Sequence, residues 1–368
     1  MVRFLHSADW QIGLKASHVA KVADTVREAR LDAARAVIAA ANRAKVHAVL
    51  LAGDIFEDNL VSDRLVSQIV EILAVSEAPV YLLPGNHDAL TEDSVYRRPS
   101  FAGRPSRVVL LESTTPIAIP GTDAVLLPSP AKQKKSFADP TAVLAKAPEG
   151  AIAVAIAHGS LKIEGKFSSD DFPIALDACK RLGLDYLAMG HWHGSFVQDG
   201  RAAYCGTHET TKFGEDRSGQ AFLVEIAAHG ALPQITEVPT GKLRWVTLEC
   251  DLSGGSEAAA GVLRDAVTAL LQPKQTLLRI RTRGQSDGEA NGFLRQAQEE
   301  LAERLCHVCL ERGDVPAAVA QGRIAEVKKT SPLVSGLLED LSVVDGGDEA
   351  TRQAARRLLD ELVLEEWR

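Results

Sequence analysis

Five short segments concentrate side chains that bind metal ions: Asp9-Trp10-Gln11, Gly53-Asp54, Gly85-Asn86-His87-Asp88, His158-Gly159 and Gly190-His191-Trp192-His193. Each follows a strand-like apolar run. Donors at the carboxyl ends of strands sit where open α/β folds hold ligands. Carboxylate and carboxamide oxygens combined with imidazole nitrogens suit Mn, Fe, Zn or Ni better than Ca or Mg. The glycines let the backbone turn sharply beside such a site. His191 and His193 lie two residues apart, so a tight loop can offer a ligand on each side. Taken singly, these segments mean little. Gly-Asp pairs are common, and a lone histidine after a strand is usually a hydrogen-bonded core group. Gly-Asn-His-Asp and Gly-His-Trp-His are far more specific, and five such segments in order point to one site.

The chemistry such a set could perform is phosphoester hydrolysis. A phosphodiester is anionic and repels nucleophiles. Two divalent cations ~3.5–4 Å apart neutralise that charge, acidify a bound water and hold the oxygens for in-line attack. A nearby imidazole can supply the proton the leaving alkoxide needs.

The elements that must position these groups alternate in type. Val2–His6, Val46–Leu51 and Pro79–Leu83 read as strands, and Asp24–Lys45 and Val61–Val75 as helices. This order predicts parallel strands with helices packed on them. From Val108 the pattern shifts to short strands: Val108–Leu111, Ile117–Ile119, Ala124–Leu127 and Ala151–Ala157. A helix is expected near Ile174–Leu182, then strands at Leu184–Met189, Ser195–Gln198, Ala202–Cys205 and Ala221–Ile226. The expected fold is α/β, two sheets packed face to face and flanked by helices, over residues 1–243. A small α+β capping domain is expected over 244–345, with strands at Trp245–Leu252 and Thr276–Arg281 and helices at Gly261–Leu271 and Ala290–Arg312. Residues 346–368 read as a terminal element whose helix, Thr351–Arg368, has an apolar face suited to a partner or to the capping domain itself.

Composition sets outer limits. The 368 residues exceed what one core usually serves. Five scattered cysteines argue against a disulfide framework and fit a cytoplasmic setting. No apolar run is long enough to span a bilayer, and no signal peptide is legible. The net charge is −8, with 15 Lys and Arg against 21 Asp and Glu in residues 246–368 and a net of only −2 before them. This acidity argues against tight autonomous DNA binding, but not against DNA as a substrate.

The ordered set resembles that of calcineurin-like metallophosphoesterases. Val2–Gly13, Leu187-Ala-Met-Gly-His-Trp-His193 and the Gly-Thr-His-Glu turn within Tyr204–Glu215 resemble the SbcD-type DNA-repair exonucleases of that superfamily. The resemblance covers about residues 1–245 and is only architectural beyond. It implies that Asp54 bridges two metals, Mn foremost with Fe, Zn or Ni as alternatives. It also implies that Asp9 and His193 hold the first, with Gln11 where the family has histidine, and that Asn86, His158 and His191 complete the second. His87 would lie above the metals as proton donor or phosphorane stabiliser, oriented by Asp88. Implied partners are DNA, an SMC-like ATPase of SbcC type, and a second copy of the chain, docked through residues 61–75 and 91–97. Gln11 departs from the pattern and predicts a weaker first site. Glu57 stands where archaeal and eukaryotic nucleases have histidine, so a cleavage polarity is not implied.

Arg97, Arg98, Arg104 and Arg107, with Lys132, Lys134 and Lys135, form two basic clusters near the motifs, as a DNA backbone contact or a solvated surface. Cys306 and Cys309 form half a zinc pattern with no second pair. Two other functions stay open: a phosphoesterase for small nucleotides or phosphoproteins, and a non-catalytic module with an impaired first site.

Overall fold

The computed structural model describes residues 1–165, 168–252, 256–268, 270, 272–283, 288–312 and 336. The first compact unit comprises Met1–Trp245 with Gln275–Leu277. It runs β1 (Val2–Ser7), α1 (Ala23–Ala44), β2 (Ala48–Ala52), α2 (Asp63–Ala74), β3 (Val80–Leu83), α3 (Pro99–Ala102), β4 (Val108–Leu110), β5 (Ile117–Ala118), β6 (Ala124–Ser129), β7 (Ile152–His158), α4 (Ala178–Leu182), β8 (Tyr186–Gly190), β9 (Phe196–Gln198), β10 (Ala202–Tyr204), β11 (Gln220–Ile226) and β12 (Gln234–Pro239). The strands form two six-stranded sheets, β12-β11-β1-β2-β3-β4 and β5-β6-β7-β8-β10-β9. Within the first, β1 to β4 are mutually parallel. Within the second, β6, β7, β8 and β10 are parallel.

The expected two-sheet α/β fold is therefore the one observed. Strands such as β2 and β7 are buried along their whole length, as parallel strands covered on both faces must be. Val2, Phe4, Leu50, Val154, Ile156 and Tyr186 pack in the layer shared by the two sheets. Leu31, Val37, Ile38, Ile69 and Leu73 of α1 and α2 cover the first sheet's outer face. β1, β2 and β3 run parallel to one another, as do β7 and β8, and each of the five leads into one of the five motifs.

Some elements differ from expectation. The helix expected from Ile174 begins only at Ala178, because Ile174 is spent in extended pairing: its N–H donates to Ser160 and its carbonyl accepts from Lys162. The strand β12 was not anticipated; its alternating Gln-Ile-Thr-Glu-Val-Pro lies at a sheet edge, where a proline is tolerated.

The second unit comprises Val246–Lys274 and Leu278–Arg368. The elements of this region are β13 (Arg244–Asp251), α5 (Ser256–Thr268), β14 (Thr276–Arg283), α6 (Gly288–Arg304) and β15 (His307–Arg312), the strands ordered β13-β14-β15. Cys250, Leu263, Leu278, Ile280, Leu294, Leu301 and Val308 form its core. The expectation of helix through Arg312 is corrected here. The helix stops at Arg304, and Val308 enters the core from a strand. The terminal helix expected over Thr351–Arg368 lies outside the described residues. No helix among the described residues is long and apolar enough to cross a membrane.

Candidate metal centre

The loops after the strands are laced to one another before any side chain is considered. Asp9 N–H donates to the Gly53 carbonyl at 3.0 Å, Gln11 N–H to Asp54 at 2.8 Å and Ile12 N–H to Ile55 at 2.9 Å. The β1 and β2 loops thus continue as a short parallel pair, which sets Asp9 beside Asp54. Four non-glycine residues here hold positive φ: Asp9 (54°), Gln11 (40°), Asp54 (53°) and His191 (110°). Backbone strain of this kind concentrates at functional sites. Close approach also requires glycine: a Cβ on Gly85 would lie 2.1 Å from Asp54 Oδ1.

Donor atoms converge on this edge. Asp54, His158 and His191 place ligand atoms within 4.8 Å of one another. His158 Nε2 lies 3.2 Å from Asp54 Oδ2 and 2.8 Å from Asn86 Oδ1. His191 Nδ1 lies 3.2 Å from the same Asn86 oxygen and 3.3 Å from His158 Nε2. Asp9 is beside them, both its oxygens accepting the His191 backbone N–H at 2.9 and 3.0 Å.

The far nitrogen of each histidine settles which nitrogen is offered. His158 Nδ1–H donates to the Ala52 carbonyl at 2.9 Å. His191 Nε2–H donates to Asp171 at 2.7 Å, and His193 Nδ1–H to Glu215 at 2.6 Å. His158 Nε2, His191 Nδ1 and His193 Nε2 are the nitrogens left to meet a cation. An acceptor on the far nitrogen is how a protein fixes the tautomer and aim of a metal-ligating imidazole. This chain's residues therefore fit a divalent cation held by Asp54, Asn86, His158 and His191, with Asp9 and His193 as further donors alongside.

Charge is balanced within the cluster. Burial disfavours the Asp54 anion, but His158 and His87 outweigh it and hold the carboxyl down at about 2. Burial also opposes a proton on His158, yet Asp54 and Asp9 push it up to about 10. Asp9 is pushed up to about 6 by burial, which its histidine neighbours only partly offset. The proton on His158 must leave before that nitrogen can ligate, so cation uptake is coupled to proton release.

Other expected residues fall elsewhere. Asp88 does not orient His87. Its carboxylate accepts from Gly85, Ile55 and Phe56 N–H and from the Tyr96 hydroxyl, tying the β3 loop to the β2 loop. His87 is positioned instead by the Glu57 carbonyl, which accepts its Nδ1–H at 2.8 Å, and by its own N–H, which donates to Asp54 Oδ1 at 2.9 Å. The Gln11 side chain is buried at this edge, and no hydrogen bond of its carboxamide occurs among the described residues. Three of the four arginines are committed to the protein: Arg98 to the carbonyls of Asn59 and Val61, Arg104 to Val108 and Phe101, Arg107 to Ser76. Lys135 is paired with Asp170. Arg97, Lys132 and Lys134 are exposed. Cys306 and Cys309 join no metal-ligating cluster among the described residues.

Asp171 and Glu215 were not anticipated as site residues. Glu215 lies in a stretch noticed only for its resemblance. Asp171 carries no local signature, and only the fold reveals that it meets His191.

Two facing sheets with a histidine, asparagine and carboxylate cluster on their shared carboxyl edge define a metal-dependent phosphoester hydrolase. The family model of calcineurin-like phosphoesterases matches residues 2–195, and the chain belongs to that family. No curated protein matches it. Among solved structures it is similar to TT1561 of Thermus thermophilus, at 10% identity and a TM-score of 0.41, over 65% of this chain and 99% of that one.

Proposed function

We propose that the chain is a DNA nuclease that hydrolyses phosphodiesters with two divalent cations, Mn foremost, and works as the nuclease subunit of an SMC-like ATPase of SbcC type. The observation that carries the hydrolytic reading is the orientation of the three histidines, each fixed by an acceptor on its far nitrogen. Asp54, Asn86, His158 and His191 would hold one cation. Asp9 and His193, with Asp54 shared and Gln11 adjacent, would hold the other. Cations bound there supply charge neutralisation and an acidified water.

The chain's own residues do the rest. Asp54 is kept ionised across the physiological range, so it presents an anion to whatever binds. His87 is fixed at Nδ1 and at its backbone N–H, which leaves Nε2 to give a proton to the leaving alkoxide. The DNA reading rests on the SbcD-like segments and on Arg97, Lys132 and Lys134, which are exposed and follow the Gly85–Asp88 motif in the chain. The ATPase and a homodimer through residues 61–75 and 91–97 follow from the same resemblance, and a cytoplasmic setting from the five scattered cysteines.

The test is Mn-dependent cleavage of single-stranded, blunt and hairpin DNA, with and without a co-purified partner, beside mononucleotide and cyclic-nucleotide esters. Cleavage of DNA that stops on chelation supports the proposal. Turnover of the small esters with DNA left intact overturns its DNA part and leaves a small-molecule phosphoesterase.

A further inference from the structure

The segment after β6 is fastened to the metal centre at both ends. At its start, Ala131 N–H donates to the Pro84 carbonyl at 3.1 Å, and the Ala131 carbonyl accepts Leu90 N–H at 3.0 Å. Pro84 and Leu90 bracket Asn86 and His87. At its end, Ser136 N–H donates to Asp170 at 2.9 Å, and the Ser136 carbonyl accepts Phe172 N–H at 3.0 Å. These bonds bracket Asp171, whose carboxylate holds His191. The residues between and just after the two fastenings therefore stand at the rim of the cluster.

What this rim presents is unusual in combination. Phe137, one residue beyond the second fastening, is 76% exposed. Lys132 and Lys134 are exposed and make no ion pair among the described residues, whereas Lys135 is occupied by Asp170 at 2.7 Å. Asp93 shares this face and already accepts from the Thr91 hydroxyl. A scattered exposed apolar side chain needs no explanation. An exposed aromatic ring with two uncommitted cations, on a loop fixed to the catalytic loops, has the composition of a single-strand nucleic-acid platform. Bases stack on the ring, and ammonium groups follow the phosphates.

We propose that Phe137, with Lys132 and Lys134, forms a stacking subsite for an unpaired nucleobase beside the scissile phosphate. This rests on the nuclease reading above and deepens it: the preferred substrate would be a single-stranded end or a frayed terminus. A small ester reaches the metal centre without reaching Phe137.

The experiment uses the full chain. Binding is read by fluorescence anisotropy of a labelled single-stranded oligothymidylate across a salt series. Hydrolysis is read in Mn on an oligonucleotide and on bis(p-nitrophenyl) phosphate. Phe137→Ala is expected to weaken oligonucleotide binding about tenfold, within the range typical of one base–aromatic stack. It should lower, by a similar factor, the ratio of kcat/KM for the oligonucleotide to that for the small ester. Phe137→Trp should retain binding, and Phe137→Leu should not. Lys132→Ala with Lys134→Ala should weaken binding and flatten its salt dependence. Unchanged binding in Phe137→Ala would overturn the subsite, as would equal binding by the Leu and Trp variants. If the unaltered protein hydrolyses neither substrate, the nuclease reading falls, and the binding comparison still decides the subsite.

Discussion

Glu215→Gln is the most informative single change. The Glu215 carboxylate accepts from four donors: His193 Nδ1–H and the Thr211 hydroxyl on Oε1, Thr211 and Lys212 N–H on Oε2. Burial raises its pKa, but the bond from His193 prevails and the carboxyl sits at about 2, so it is an anion at every working pH. A carboxamide of the same shape has one acceptor oxygen. Whichever way it turns, its NH2 faces two of the four donors. Turned one way it strands His193; turned the other it strands the two backbone N–H groups, at a cost of about 1–3 kcal/mol in stability. Losing the carboxylate behind a ligating imidazole typically weakens metal affinity 10- to 100-fold, about 1.4–2.8 kcal/mol. Calorimetric titration of Mn into chelator-treated protein should show one step shifted by that factor and the other in place. Isotherms that superimpose on those of the unaltered protein would show that Glu215 does not orient His193. Equal weakening of both steps would mean that it supports the fold at large.

Asp54→Ala is expected to abolish hydrolysis and strip both sites, and two ions retained per chain would refute its bridging role. His87→Ala should keep its metal and lose about 10²–10⁴ in turnover; metal content falling in step with activity would make His87 a ligand. Gln11→His should lower the Mn concentration for half-maximal rate, since imidazole outbinds a carboxamide oxygen, and an unchanged requirement would exclude Gln11 from the site. His6 is buried with Tyr186 and Met189 as partners, and burial pushes its pKa from 6.5 down to about 3. The unfolded chain then takes up a proton that the folded chain refuses, so the contribution of His6 is full above pH 6.5 and lost as pH falls toward 3. The difference in unfolding free energy between the unaltered protein and His6→Gln should shrink accordingly, by about 1.4 kcal/mol per pH unit; a difference that stays constant with pH would refute this.

What was legible beforehand follows physical range. Apolar runs such as Ile152–Ala157 declare parallel strands, and the motifs that end them declare ligands, because both are local in the chain. Asp171 and Glu215 were silent because their partners lie 20 and 22 residues away, and nothing in a lone loop carboxylate announces the histidine it will meet. Asp88 was misread for the opposite reason. It adjoins His87 in sequence, yet its carboxylate faces the β2 loop. Arg98, Arg104 and Arg107 were open to a DNA-backbone contact or a solvated surface, because charge is visible in sequence and carbonyl partners are not. The strand after α6 was hidden by Leu305 and Val308, which continue the helical spacing of Leu294, Ala297 and Leu301 past Arg304.

The positive φ angles at Asp9, Gln11 and Asp54 bear on how this enzyme can be improved. A left-handed conformation costs an ordinary residue roughly 1–2 kcal/mol, and glycine almost nothing. On this backbone term alone, a breeding programme that rewards heat endurance gains from glycine at these positions, and each acceptance deletes a side chain proposed here to hold or adjoin metal. Endurance and catalysis pull these positions in opposite directions, so any such selection must score turnover in every round.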